Sequence, residues 1–238
     1  MASLQDWGVP LAVIGMLLST LLAAALYTRY LAYLADVRIA VRRLDLGIRE
    51  TTSALAALTQ VPLSRELRLT LRSDILARYQ KIRTLYRRYP GVIEGIRSAE
   101  QALDAEGPPA TNGVGPLASE RAFRATLAAL DRLHAILARG GTLRPVPADV
   151  RRIFLREIAE RRAEVTSRFH LVEARRHDAN GNPTRARTHL LALLQALRQH
   201  GPATQFIREL ASEANSALLK LSDQRPTAAS LSVDATAA

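Results

Sequence analysis

His170, Glu173 and His177 fall at i, i+3 and i+7 in one apolar-periodic stretch, and His189 lies on the helix expected to return beside it. That spacing stacks the first three on successive turns of one helix face, where imidazoles and a carboxylate can share a divalent metal. Carboxylate-bridged metal sites in helical bundles need Glu from several helices, with His placed three residues after Glu in Glu-x-x-His motifs. No such motif occurs here, and Arg175 and Arg176 put positive charge beside the candidate ligands. Read from the sequence, these are surface histidines, with no metal and no cofactor expected.

Other chemistries have less support. The chain has no cysteine, which excludes disulfides, thiolate metal sites and cysteine nucleophiles. There is no G-x-x-x-x-G-K-[ST] phosphate loop, "YPGVIEGI" follows no strand, and no serine sits in G-x-S-x-G. Glu94, within "GVIEGI", is the one carboxylate whose neighbours are apolar enough to raise its pKa, and it lacks an evident partner. The expectation is a non-catalytic protein.

Charge is more informative. Arg65, Arg68, Arg72, Arg78, Lys81, Arg83, Arg87 and Arg88 crowd one segment against only Glu66 and Asp74, with Tyr79, Tyr86 and Tyr89 between them. The whole chain carries a formal charge of +11. Such a face attracts anionic lipid headgroups or an acidic protein surface. Nucleic acid is a weaker expectation, because none of its recognition motifs is present. A plain solvated face is the competing explanation.

These residues need helices to hold them, and the composition supplies helices. Leu, Ala and Arg dominate, aromatics make up only 5%, and no run alternates with the period of a strand. The expected fold is all-α: an N-terminal transmembrane helix, a long amphipathic helix, then an antiparallel helical bundle or stacked helical hairpins.

Trp7 to Thr28 is uncharged over 22 residues, enough to cross a hydrocarbon core of about 30 Å. Trp7 stands at one end and Tyr27, Tyr30 and Tyr33 at the other, as interfacial aromatics do. Arg29, Arg38, Arg42 and Arg43 follow the span, whereas only Asp6 precedes it. The positive-inside rule then puts the N-terminus outside and the domain in the cytoplasm of a bacterial-type inner membrane. "AAA" at Ala23–Ala25 offers a signal-peptidase site, but the segment before it has no Lys or Arg. An anchor is expected.

Beyond the span a heptad seam begins. Leu34, Val41, Ile48 and Leu55 recur every seven residues, and Val37, Leu44, Thr51 and Leu58 follow each by three. Two readings stand level. The seam of Leu34, Val37, Val41, Leu44, Ile48, Leu55 and Leu58 suits a homodimeric coiled coil. The small residues Ala40, Gly47 and Ala54 beside it suit a helix buried in its own bundle.

Further helices are expected from about Ser64 to Tyr89, Val92 to Ala105, Ser119 to Gly140, Asp149 to His177, Thr184 to His200 and from "GPATQF" to Leu221. In the fourth of these, Val150, Phe154, Ile158, Val165, Phe169 and Val172 are expected to face inward. Glu157–Arg161 and Glu164–Arg168 are expected as outward ion pairs. "RRHDANGNPTRARTHLLALLQAL" resembles the turn and second helix of a tetratricopeptide hairpin, with Gly181 in the turn and Ala186 at a close-packed position. It covers about 25 residues, occurs once and lacks the aromatic positions of that repeat.

The organisation expected is therefore an anchor at 1–28, a stalk or bundle helix at 29–60, a helical domain at 61–222 with a loop at 106–117, and a disordered tail at 223–238. The function expected is a membrane-anchored scaffold, adaptor or assembly factor with an unidentified protein partner. The alternative is a membrane-tethered binder of anionic lipid or nucleic acid through the basic helix.

Overall fold

The computed structural model describes residues 8–107 and 119–223, which form seven helices and, among the described residues, no strand. They are α1 (Gly8–Ala57), α2 (Arg65–Leu85), α3 (Val92–Asp104), α4 (Glu120–Ala138), α5 (Ala148–Ala179), α6 (Pro183–His200) and α7 (Gln205–Asp223). The expected loop at 106–117 and tail at 223–238 lie almost wholly outside the described residues.

Local chemistry accounts for most boundaries. Ser64 and Ser119 cap α2 and α4 by accepting the amides of Leu67 and Ala122, each at 3.2 Å. Gly140 and Gly181 end α4 and the α5–α6 turn with φ of 62° and 70°, a region closed to most side chains. One boundary differs from expectation. α2 stops at Leu85, four residues short of Tyr89. Tyr86 leaves the helical region at φ −144° and ψ 89° while its amide still donates to the Ile82 carbonyl, and Pro90 keeps the helix from resuming through the turn.

The helices follow one another in space as α3, α2, α1, α4, α5 and α6, with α7 lying against both α5 and α6. Three apolar cores run along this array. The first joins Val41 and Ile48 of α1 to Ile75 and Ile82 of α2 and to Val92 and Ala99 of α3. The second joins Ala54 and Leu58 to Leu67 and Leu71 of α2, Leu130 and Leu133 of α4, and Phe154 and Ile158 of α5. The third is built from the far half of α5 with Leu190 and Leu193 of α6 and Ile207 and Ala214 of α7.

Because α5 serves two cores, its inner face is not one straight stripe. Phe154, Ile158 and Val165 are buried as expected and Phe169 is half-buried, but Val150 and Val172 are exposed. The expected ion pairs shift for the same reason. Glu157 leaves Arg161 and turns inward to accept the Ser64 hydroxyl at 2.7 Å, tying α5 to the start of α2. Glu164 does pair with Arg168, at 3.0 Å, but it is buried and also takes Arg161 at 2.8 Å.

Candidate functional site

α1 is the one described helix long and apolar enough to cross a membrane, and none of its most apolar stretch is buried in the chain. Leu17, Leu21, Leu22, Leu26, Tyr27 and Tyr30 are all exposed. A core helix would have these covered, so the chain does not use this segment as one. Further along, the same helix turns amphipathic. Val41, Ile48, Thr51 and Leu58 of the heptad seam are buried, Leu34, Val37, Leu44 and Leu55 are half-buried, and Ala54 has no exposure. The seam packs within the chain, against α2, α3 and α4. Small residues beside it are what allow that approach: the Arg78 guanidinium lies where a side chain at Gly47 would begin.

α2 returns antiparallel to α1. Val41 and Ile82 share the first core, Arg78 crosses Gly47, and Tyr89 packs in the same cluster as Val37. The α2–α3 turn at 86–91 therefore lies beside the stretch of α1 that follows the apolar segment. Of the eight cations expected to form a contact surface, the fold divides them. Arg68 and Arg72 both turn to the buried carboxylate of Glu106, the latter at 2.7 Å. Arg78 is buried on Asp74 at 2.7 Å. Arg65, Lys81, Arg83, Arg87 and Arg88 are exposed, and the last four surround the turn with exposed Tyr86. Arg38, Arg42, Arg43 and Arg97 are exposed on the neighbouring stretches of α1 and α3. Glu94 is exposed rather than set in an apolar pocket.

A second grouping lies at the other end of the array. The α5–α6 hairpin closes on Ala186, which is fully buried, and this brings His189 opposite His170, Glu173 and His177. His170 Nδ1 lies 3.1 Å from His189 Nδ1. The rings of His177 and His189 stack with centroids 5.3 Å apart and a tilt of 21°. Glu173 Oε2 lies 3.9 Å from His177 Nε2, and Arg176 reaches Glu173 at 3.5 Å. These are not dispersed surface histidines; all four residues are half-buried and meet in one cluster.

No family model matches this chain, and neither a curated protein nor a solved structure is significantly similar to it. The function must therefore be argued from the chain's own geometry.

Burial holds the pKa of His170 below its ordinary value of 6.5, the neighbouring His189 pushes it the same way, and Glu173 opposes both. The protonated imidazole is thus disfavoured in the fold relative to the unfolded chain. Stability from this group is complete above the ordinary pKa and is lost as pH falls through the depressed one. In chelator-containing buffer, lowering the pH from about 7.5 to about 5.5 should reduce the thermal midpoint. His170→Gln, which cannot titrate, should show a shallower fall. Parallel pH dependence in both proteins would show that His170 is not responsible.

Sequence reasoning missed Asp74, Glu106 and Glu157. By local pattern Asp74 and Glu157 are ordinary helix-surface carboxylates and Glu106 stands just past the end of α3, and only the tertiary register turns each into an internal anchor.

Proposed function

We propose that this chain is a single-pass protein of a bacterial-type cytoplasmic membrane, with its N-terminus outside and its helical domain on the cytoplasmic face. There it acts as a scaffold, adaptor or assembly factor through protein–protein contacts. One observation carries this. α1 runs for 50 residues, about 75 Å, from an uncovered apolar stretch into the cores of the domain without a break. A domain built around the continuation of its own anchor is held at a fixed height and orientation, which suits presentation of a surface to a partner.

Crosslinking in native membranes, capture through a C-terminal tag at moderate salt and mass spectrometry test this function. One or two proteins recovered in near-equal amount with the intact chain are expected. Recovery of a chain shortened by about 25 N-terminal residues would mark the apolar segment as a cleaved signal and overturn the anchor. A reporter fused after Leu221 that is active only in the periplasm would overturn the orientation.

A second function is favoured by the position of the α2–α3 turn. Thr28 and Val37 are nine residues apart, about 13 Å along the helix. The headgroup layer is itself about 5–8 Å deep, so Arg87 and Arg88 lie within about one screening length of anionic lipid, with Arg83 about one helical turn further out. Lipid binding at this end is compatible with a protein partner elsewhere on the domain.

A further inference from the structure

We propose that Glu173 and His177 of α5 and His189 of α6 form a binding site for a divalent transition metal of the zinc class. This inference does not depend on the membrane function. One ligand atom from each of the three residues lies within 4.8 Å of the other two. Ligands on a tetrahedral zinc are roughly 3.3 Å apart, given bonds of about 2.0–2.1 Å. Rotation of the Glu173 and His177 side chains is enough to close that difference, since their backbones sit one turn apart on the same face of α5.

The chemistry of the set selects the metal. Two imidazoles and one carboxylate suit Zn²⁺, Co²⁺, Ni²⁺ or Cu²⁺, whereas Ca²⁺ and Mg²⁺ require cages of oxygen. His170 has a different part. Its 3.1 Å contact with His189 joins two ring nitrogens, one of which must carry the proton. When His189 donates, its other nitrogen keeps the lone pair that a metal takes, so His170 is a positioning residue. Arg176 does not block the ion. Its contact with Glu173 is long, at 3.5 Å, and its side chain is 69% exposed, free to swing aside. The side chains of Glu173 and His177 are 23% and 22% exposed, so solvent reaches the site and a water completes the coordination.

The test uses the full chain, purified without a polyhistidine tag and stripped with a chelator. Zn²⁺ binding is measured by competition with a chromophoric indicator, and Co²⁺ substitution by its visible absorption. One Zn²⁺ per chain and the intense bands of tetrahedral Co²⁺ are expected, with no competition from Ca²⁺ or Mg²⁺. His177→Ala and His189→Ala should each weaken binding at least about tenfold, whereas His134→Ala, an exposed histidine on α4, should not. His170→Ala should weaken Zn²⁺ binding while leaving the stoichiometry at one ion. Glu173→Gln preserves the size of the side chain and guards against misfolding of the alanine variants; it should also lower affinity. Failure to bind Zn²⁺ at one ion per chain would overturn the site. So would binding unchanged in both His177→Ala and His189→Ala, or displacement of Zn²⁺ by Ca²⁺ or Mg²⁺.

Discussion

Replacing Asp74 with alanine is expected to destabilise the folded domain by about 3–5 kcal/mol, the largest effect of any single substitution considered. Asp74 accepts Arg78 Nε at 2.7 Å on one oxygen and the backbone amide of Leu143 on the other. Arg78 also donates to the Gly141 carbonyl, and its guanidinium covers Gly47. One ion pair thus fastens α2 to α1 and to the α4–α5 connection. The two side chains are only 10% and 3% exposed, so alanine strands a buried cation and orphans the Leu143 amide. Asp74→Asn keeps an acceptor for Leu143 and should cost less. The double variant Asp74→Leu/Arg78→Met should recover much of the loss, because the unpaired charge leaves with its partner. Denaturant midpoints of the three variants in detergent provide the measurement. A loss for Asp74→Ala below about 0.5 kcal/mol, the range of ordinary surface changes, would deny the network any structural weight. Gly47→Val supplies an independent check, since its side chain would occupy the space of the Arg78 guanidinium.

This network also marks where the sequence stops being legible. Helices announce themselves locally: Ser64 and Ser119 cap, Gly140 and Gly181 terminate, and apolar residues recur every three or four positions. Those signals depend on neighbours within one turn and can be read without the fold. What the helices meet cannot. The heptad of α1 is equally consistent with a partner chain or with α2 and α3. Only the antiparallel return of α2, which lets Arg78 cross at Gly47, buries Val41, Ile48, Thr51 and Leu58 of the seam within the chain. Burial of Glu164 is not legible locally because α5 turns different faces to its two cores, so a single 3.6-residue stripe along it misassigns Val150 and Val172. At the histidine cluster, the spacing of His170, Glu173 and His177 is legible in the sequence. Their convergence on His189 required the register of the α5–α6 hairpin, which rests on the burial of Ala186 and Leu190.

The basic turn is likewise half legible, and the half that tertiary structure adds leads to the second large effect. Counting charge gives eight cations on the segment, but three of them are spent on Glu106 and Asp74. A surface that binds anionic lipid should therefore depend on Arg83, Arg87 and Arg88 and be indifferent to Arg68 and Arg72. Each exposed cation near an anionic bilayer contributes about 1 kcal/mol. Neutralising three by Arg83→Gln/Arg87→Gln/Arg88→Gln should remove about 3 kcal/mol of attraction, roughly a hundredfold in lipid selectivity before screening. The absence of cysteine makes the measurement clean, because Tyr86→Cys supplies a single labelling position on the turn. In nanodiscs, a dye at that position should be quenched more by spin-labelled anionic lipid than by its neutral counterpart. The difference should shrink as salt rises and disappear in the triple variant. Arg68→Gln/Arg72→Gln should instead lower stability by freeing the buried Glu106 carboxylate, with quenching unchanged. Equal quenching by both lipids in the parent chain would mean that these arginines face solvent or a protein. The contact surface would then have to be sought at the far end of the array, on α5, α6 and α7.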